Sequence, residues 1–124
     1  MIWAIYAVAF FFFGMGVYAL AWPEGIVRLV GTPSLTTAGR SEVRAVYGGF
    51  GLAIAAVLLL GLRSPEIARG IFLTVAMALG GMAAGRVVSR GIDGEAGPNV
   101  RLFLVLEVVL AAVLAAAFVW RPEI

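Results

Sequence analysis

Residues 2–22 read IWAIYAVAFFFFGMGVYALAW, without one charged side chain. A helix needs roughly 20 mostly apolar residues to cross the ~30 Å hydrocarbon core of a bilayer. This stretch meets that length unaided, and three more follow it. The second lies over 42–62 and is apolar from Ala45 to Leu62. The third lies over 67–90, with Arg69 near its start and Arg86 near its end. The fourth lies over 100–120 and is interrupted once, by Glu107. Open strands leave backbone groups unsatisfied in lipid, and the chain lacks the alternation of a membrane barrel. The expected fold is therefore all-α: one domain over 1–124, a four-helix transmembrane bundle.

Composition points the same way. The 124 residues are 63% apolar and 13% charged, with 16 glycines, and the mean hydropathy is +1.07. Soluble domains run nearer a quarter charged, and so short a chain could not bury this much apolar surface by itself. Cys and His are both absent, which excludes disulfides, thiol redox chemistry, Cys/His zinc sites, His-ligated haem and a Ser–His–Asp triad. No cofactor and no metal is expected. The nine arginines are spread over both membrane faces and no Gly-rich nucleotide loop follows a strand, so nucleic acid is not an expected partner.

The connections carry local signals. Pro23 ends the first helix beside Trp22, an interfacial aromatic. Residues 26–30 are read as a brief amphipathic turn, and Ser41 as the N-cap of the second helix, with Glu42 at the positive end of its dipole. Ser64-Pro65-Glu66 forms a tight turn, and 91–98 the last loop. Ala19-Leu20-Ala21 mimics a signal-peptidase site. The apolar run before it is too long for a signal peptide and no basic residue precedes it, so the first helix is expected to stay.

With both termini on one side, the opposite side holds Arg28, Arg40, Arg44, Arg86, Arg90 and Arg101, against Arg63, Arg69 and Arg121. The positive-inside rule then puts the six-arginine side in the cytoplasm and both termini outside. Small residues recur four apart at Ala45, Gly49, Ala53, at Ala76, Gly80, Ala84, and at Gly81, Gly85, Ser89. These rows are expected to pack helices within the bundle, with a dimer face as the alternative. Phe10–Phe13 covers every helix face and is read as lipid-facing or core bulk.

The informative feature is a charged cluster. Helix alternation brings the start of the second helix, the end of the third and the start of the fourth to one level. Those places hold Glu42, Arg44, Tyr47, Arg86, Arg90, Asp93 and Glu107. Arg86, Arg90 and Asp93 follow steps of four and three, one helical face. Glu107 lies roughly 10 Å below the start of its span at 1.5 Å per residue. An acid at that depth costs perhaps 2.5–3.5 kcal/mol and is normally partnered or functional. Arg86 is the first expected partner and Arg44 the second. A register-fixing ion pair, a headgroup or substrate site, and a proton or ion path all remain open.

The run Ser41-Glu-Val-Arg-Ala-Val-Tyr-Gly-Gly49, the segment Gly85-Arg86…Ser89…Asp93-Gly94, and Glu107 are similar to a bacterial four-helix membrane family catalogued as domain of unknown function 4345. The resemblance covers nearly the whole chain. It implies that Glu42, Arg44, Tyr47, Gly48, Gly49, Arg86, Asp93, Gly94 and Glu107 stand at the family's motif positions. It also implies a bacterial inner-membrane location and distant kinship with small DoxX-like membrane proteins. It implies no reaction, and whether the chain is an enzyme stays open.

Three functions follow. In the first, the arginines hold the headgroup of a lipid-like or anionic amphiphile, with Glu107 or Asp93 as acid or base and Tyr47 as donor. In the second, the chain is an accessory subunit of a membrane complex, or a homo-oligomer, and the cluster is structural. In the third it is a small transporter; its first helix lacks the acid of the small multidrug exporters.

Overall fold

The computed structural model describes residues 1–32 and 34–120. Helix α1 runs Ile2–Ala21, followed by a short α2, Pro23–Arg28. Helix α3 (Thr37–Val43), a wider π-helical turn (Arg44–Gly49) and α4 (Phe50–Arg63) form one continuous span. Helices α5 (Pro65–Asp93) and α6 (Pro98–Trp120) complete the chain. The fold is all-α, with no strand among the described residues, and four helices are long and apolar enough to cross a membrane. The protein is an integral membrane protein by that measure. At most 33% of the apolar window of any span is buried, so lipid must cover the rest. Trp3, Phe10, Met77 and Val119 are each at least 69% exposed.

The helices form two hairpins. Helix α1 packs along α4 and its preceding π-turn, α5 packs along α6, and α4 meets α5 above the Ser64 turn; α1 and α6 touch sparingly. The core gathers at the end holding the termini and that turn. There Ile5, Leu58, Phe72 and Leu114 are fully buried against one another's neighbours. Of the phenylalanine run, Phe12 enters this core while Phe10 and Phe13 face outward, as read from the sequence.

Several boundaries differ from expectation. The second helix starts at Thr37, because Thr36 is its N-cap: the Thr36 Oγ1 accepts from Gly39 N at 3.0 Å. Ser41 is thus interior, and Glu42 stands in the second turn, away from the dipole's end. Pro23 does not only stop α1. It opens α2 at a position where its missing N–H costs nothing, so the segment read as an amphipathic turn at 26–30 begins earlier. Helix α5 continues through Asp93, which shortens the last loop to 94–97, bounded by Gly94 (φ 86) and Gly97 (φ 121). Both glycines hold backbone angles that side chains rarely tolerate. Pro33 and Arg121, used in the loop reading and the arginine count, lie outside the described residues.

The small-residue rows also need correcting. Ala45, Gly49, Ala53, Gly80 and Ala84 are exposed, and so are Gly81, Gly85 and Ser89. A Cβ at Gly80, Gly81 or Gly85 would meet open space. The glycines that let helices close are Gly16, Gly48 and Gly51: a Cβ on Gly16 would stand 2.8 Å from the Gly48 carbonyl oxygen, and one on Gly51 2.9 Å from that of Phe12. A 3.6-residue period does not survive the π-turn, which rotates the glycines of the second span toward α1.

Candidate functional site

Glu107 is buried, 7% exposed, nine residues into α6, roughly 14 Å along its axis at 1.5 Å per residue. Arg86 meets it from α5. Arg86 Nε donates to Glu107 Oε1 at 2.7 Å and Nη2 donates to Oε2 at 2.9 Å. The pair is a bidentate fork, the geometry guanidinium and carboxylate share. The Arg86 guanidinium also lies 5.5 Å from the centre of the Phe103 ring. Its remaining terminal nitrogen, Nη1, has no protein acceptor among the described residues, and the side chain stays 26% exposed. Tyr47 stands half-buried on the π-turn.

Above this pair lies an open cleft of about 430 Å³ between the facing ends of α5 and α6. Arg86, Arg90 and Arg101 line it together with Met82, Val100 and Leu104. Glu95, in the four-residue loop, also lines it and bridges two of the arginines through a single oxygen. Glu95 Oε2 accepts from Arg101 Nη1 at 3.0 Å and lies 3.3 Å from Arg90 Nη2. The cleft is thus polar at the loop and apolar toward the membrane interior. With 29 residues, α5 measures roughly 43 Å, longer than a ~30 Å hydrocarbon core.

The structure divides the seven candidate residues. Arg86 and Glu107 pair as expected, and Arg90 joins Arg86 on the cleft. Arg44 does not reach Glu107. Its Nε donates to the Leu20 carbonyl at 3.1 Å, capping the last turn of α1. Asp93 is the last residue of α5 and exposed; Glu42 is exposed on α3; neither has an ion-pair partner among the described residues. Sequence reasoning missed Glu95 as the acid at the cleft and counted Arg101 only toward topology. Two further ties at this end were missed. Arg40 Nη1 donates to Glu24 at 3.3 Å, joining α3 to α2, and Asn99 Nδ2 donates to the Leu29 carbonyl at 2.9 Å, joining the two hairpins. A loop of four residues brings Arg90 and Arg101 together around Glu95, and no pattern in the sequence signalled it. No group of three or more potential metal ligands occurs among the described residues.

A model of the family described as Domain of unknown function (DUF4345) matches residues 1–118, and the chain belongs to that family. No curated protein and no solved structure matches it.

Proposed function

We propose that this member of the family binds the headgroup of an anionic amphiphile, a membrane lipid or a lipid-like molecule, in the cleft between α5 and α6. One observation carries the reading: three arginines line one cleft together with the apolar side chains of Met82, Val100 and Leu104. Guanidinium geometry suits phosphate oxygens, and Met82, Val100 and Leu104 offer an acyl chain a path toward the bilayer. The buried Glu107 serves as an anchor here. By holding the Nε edge of Arg86, it aims Nη1 at the cleft. The bidentate engagement also argues against Glu107 as an acid–base group, since both its oxygens are occupied by a permanent cation.

Native mass spectrometry from mild detergent tests the reading. Wild-type protein is compared with Arg86→Ala and Glu107→Gln, each checked for helix content. A phospholipid adduct of defined mass on the wild type, lost in the folded variants, is expected. Bulk lipid on all three forms alike contradicts it.

A second reading has its own support. The open space beside Gly80, Gly81 and Gly85 leaves a close-approach face on α5 unfilled within the chain, which suits an accessory subunit or homo-oligomer. Gly81→Leu would then abolish a co-purifying partner and leave the lipid adduct intact.

A further inference from the structure

Resting on the amphiphile reading above, we propose that the cleft selects a phosphomonoester headgroup carrying two negative charges, and that Glu95 holds the headgroup's place in the free protein as a displaceable counter-anion.

The two carboxylates at the cleft are held differently. Glu107 uses both oxygens at 2.7 and 2.9 Å on one buried partner, and its side chain is 9% exposed. Glu95 uses one oxygen only, at 3.0 and 3.3 Å, and its side chain is 39% exposed, between arginines at 54% and 56%. Exposed ion pairs are weak and exchange readily with solvent. The short loop that carries Glu95 is bounded by Gly94 and Gly97, each at positive φ. Glu95 Oε2 therefore sits between two guanidinium groups, where a phosphate oxygen would sit, without being locked there.

Charge balance gives the selectivity. With Glu95 displaced, Arg90 and Arg101 are both unneutralised, while Arg86 stays matched by Glu107 and keeps three hydrogens, two on Nη1 and one on Nη2. A phosphodiester headgroup brings one negative charge, so it replaces Glu95 charge for charge and gains little. A phosphomonoester brings close to two charges at neutral pH and three terminal oxygens. It neutralises Arg90 and Arg101 together and leaves an oxygen for Arg86.

The test titrates phosphatidic acid and phosphatidylglycerol, with identical acyl chains, against wild-type protein and Glu95→Gln, Arg90→Gln and Arg101→Gln, reading bound lipid by native mass spectrometry. Wild type is expected to prefer phosphatidic acid by about five- to tenfold, the return of one further charge-assisted contact at a partly exposed site. Glu95→Gln is expected to tighten both lipids about three- to fivefold and to keep the preference, because a competitor common to both is gone. Each arginine variant is expected to lose the preference. Equal affinities in the wild type, or weaker binding of both lipids by Glu95→Gln, overturns the proposal. If both lipids bind equally and the arginine variants lose both, only the selectivity fails. If the arginine variants lose neither, the cleft is not the site and the amphiphile reading fails with it. Soluble glycerol 3-phosphate separates the sources of the ligand. Failure to displace phosphatidic acid at equal concentration supports a lipid; full displacement keeps the phosphomonoester and removes the lipid.

Discussion

Arg86 and Glu107 join α5 to α6 through two parallel hydrogen bonds of 2.7 and 2.9 Å, with the carboxylate nearly closed off from its surroundings. A buried ion pair is weak evidence for net stability, because desolvation offsets much of the attraction. Its loss from one side is another matter. Arg86→Met leaves Glu107 as an unpaired buried charge and is expected to cost about 3–5 kcal/mol, and Glu107→Leu, which leaves the partly exposed Arg86 unpaired, is expected to cost less. The double variant Arg86→Met/Glu107→Leu is expected to lie within about 1 kcal/mol of the wild type. Denaturant titration in detergent, followed by circular dichroism, measures all three. A double variant as unstable as the singles would mean that the polar pair itself holds the hairpin.

Glycine substitutions separate the contacts that close the helices from the rows visible by eye. Gly16→Ala pushes a methyl group against the Gly48 carbonyl and the Leu52 amide, both backbone, and is expected to cost about 1–3 kcal/mol. Gly80→Ala meets open space and is expected to gain about 0.5–1 kcal/mol from helix propensity. Thermal unfolding of the two variants, side by side, checks the sign of each.

Arg44 is given a structural role by its bond to the Leu20 carbonyl. Arg44→Ala is expected to lower stability by about 0.5–1.5 kcal/mol and to leave lipid adducts unchanged. An adduct lost with Arg44 and restored by Arg44→Lys would return this residue to the binding site.

The arginine count gives the expectation that the cleft faces the cytoplasm. The sequence has no cysteine, so Ala96→Cys introduces a single thiol in the loop. A membrane-impermeant maleimide is expected to label it only after the cell membrane is opened. Labelling of intact cells would reverse that expectation.

Much of this was legible in the residues. All four spans appear because each is a run of apolar side chains near bilayer length, and hydropathy alone reveals that. The pairing of Arg86 with Glu107 followed from helix rise and alternation: both residues lie a few turns inside the same face of the membrane. The second span's start was not legible. Thr37–Arg40 are polar and look like loop, yet they are helical because Thr36 caps them outside the hydrocarbon core. Arg44 was misread because helix alternation gives its level but not the direction of its side chain, which turns to the Leu20 carbonyl at the end of α1. Glu95 carries no pattern of its own. Its meaning comes from a loop of four residues that brings the ends of two long helices together, which only the fold displays.

The most direct measurement is photocrosslinking in lipid nanodiscs with an anionic phospholipid bearing a diazirine on its acyl chain, mapped by peptide mass spectrometry. The cleft account predicts label concentrated on Met82, Val100 and Leu104, and lost when Arg90 and Arg101 are both changed to Gln. Label spread evenly over outward-facing positions such as Phe10, Met77 and Val119, unchanged by those substitutions, would contradict it.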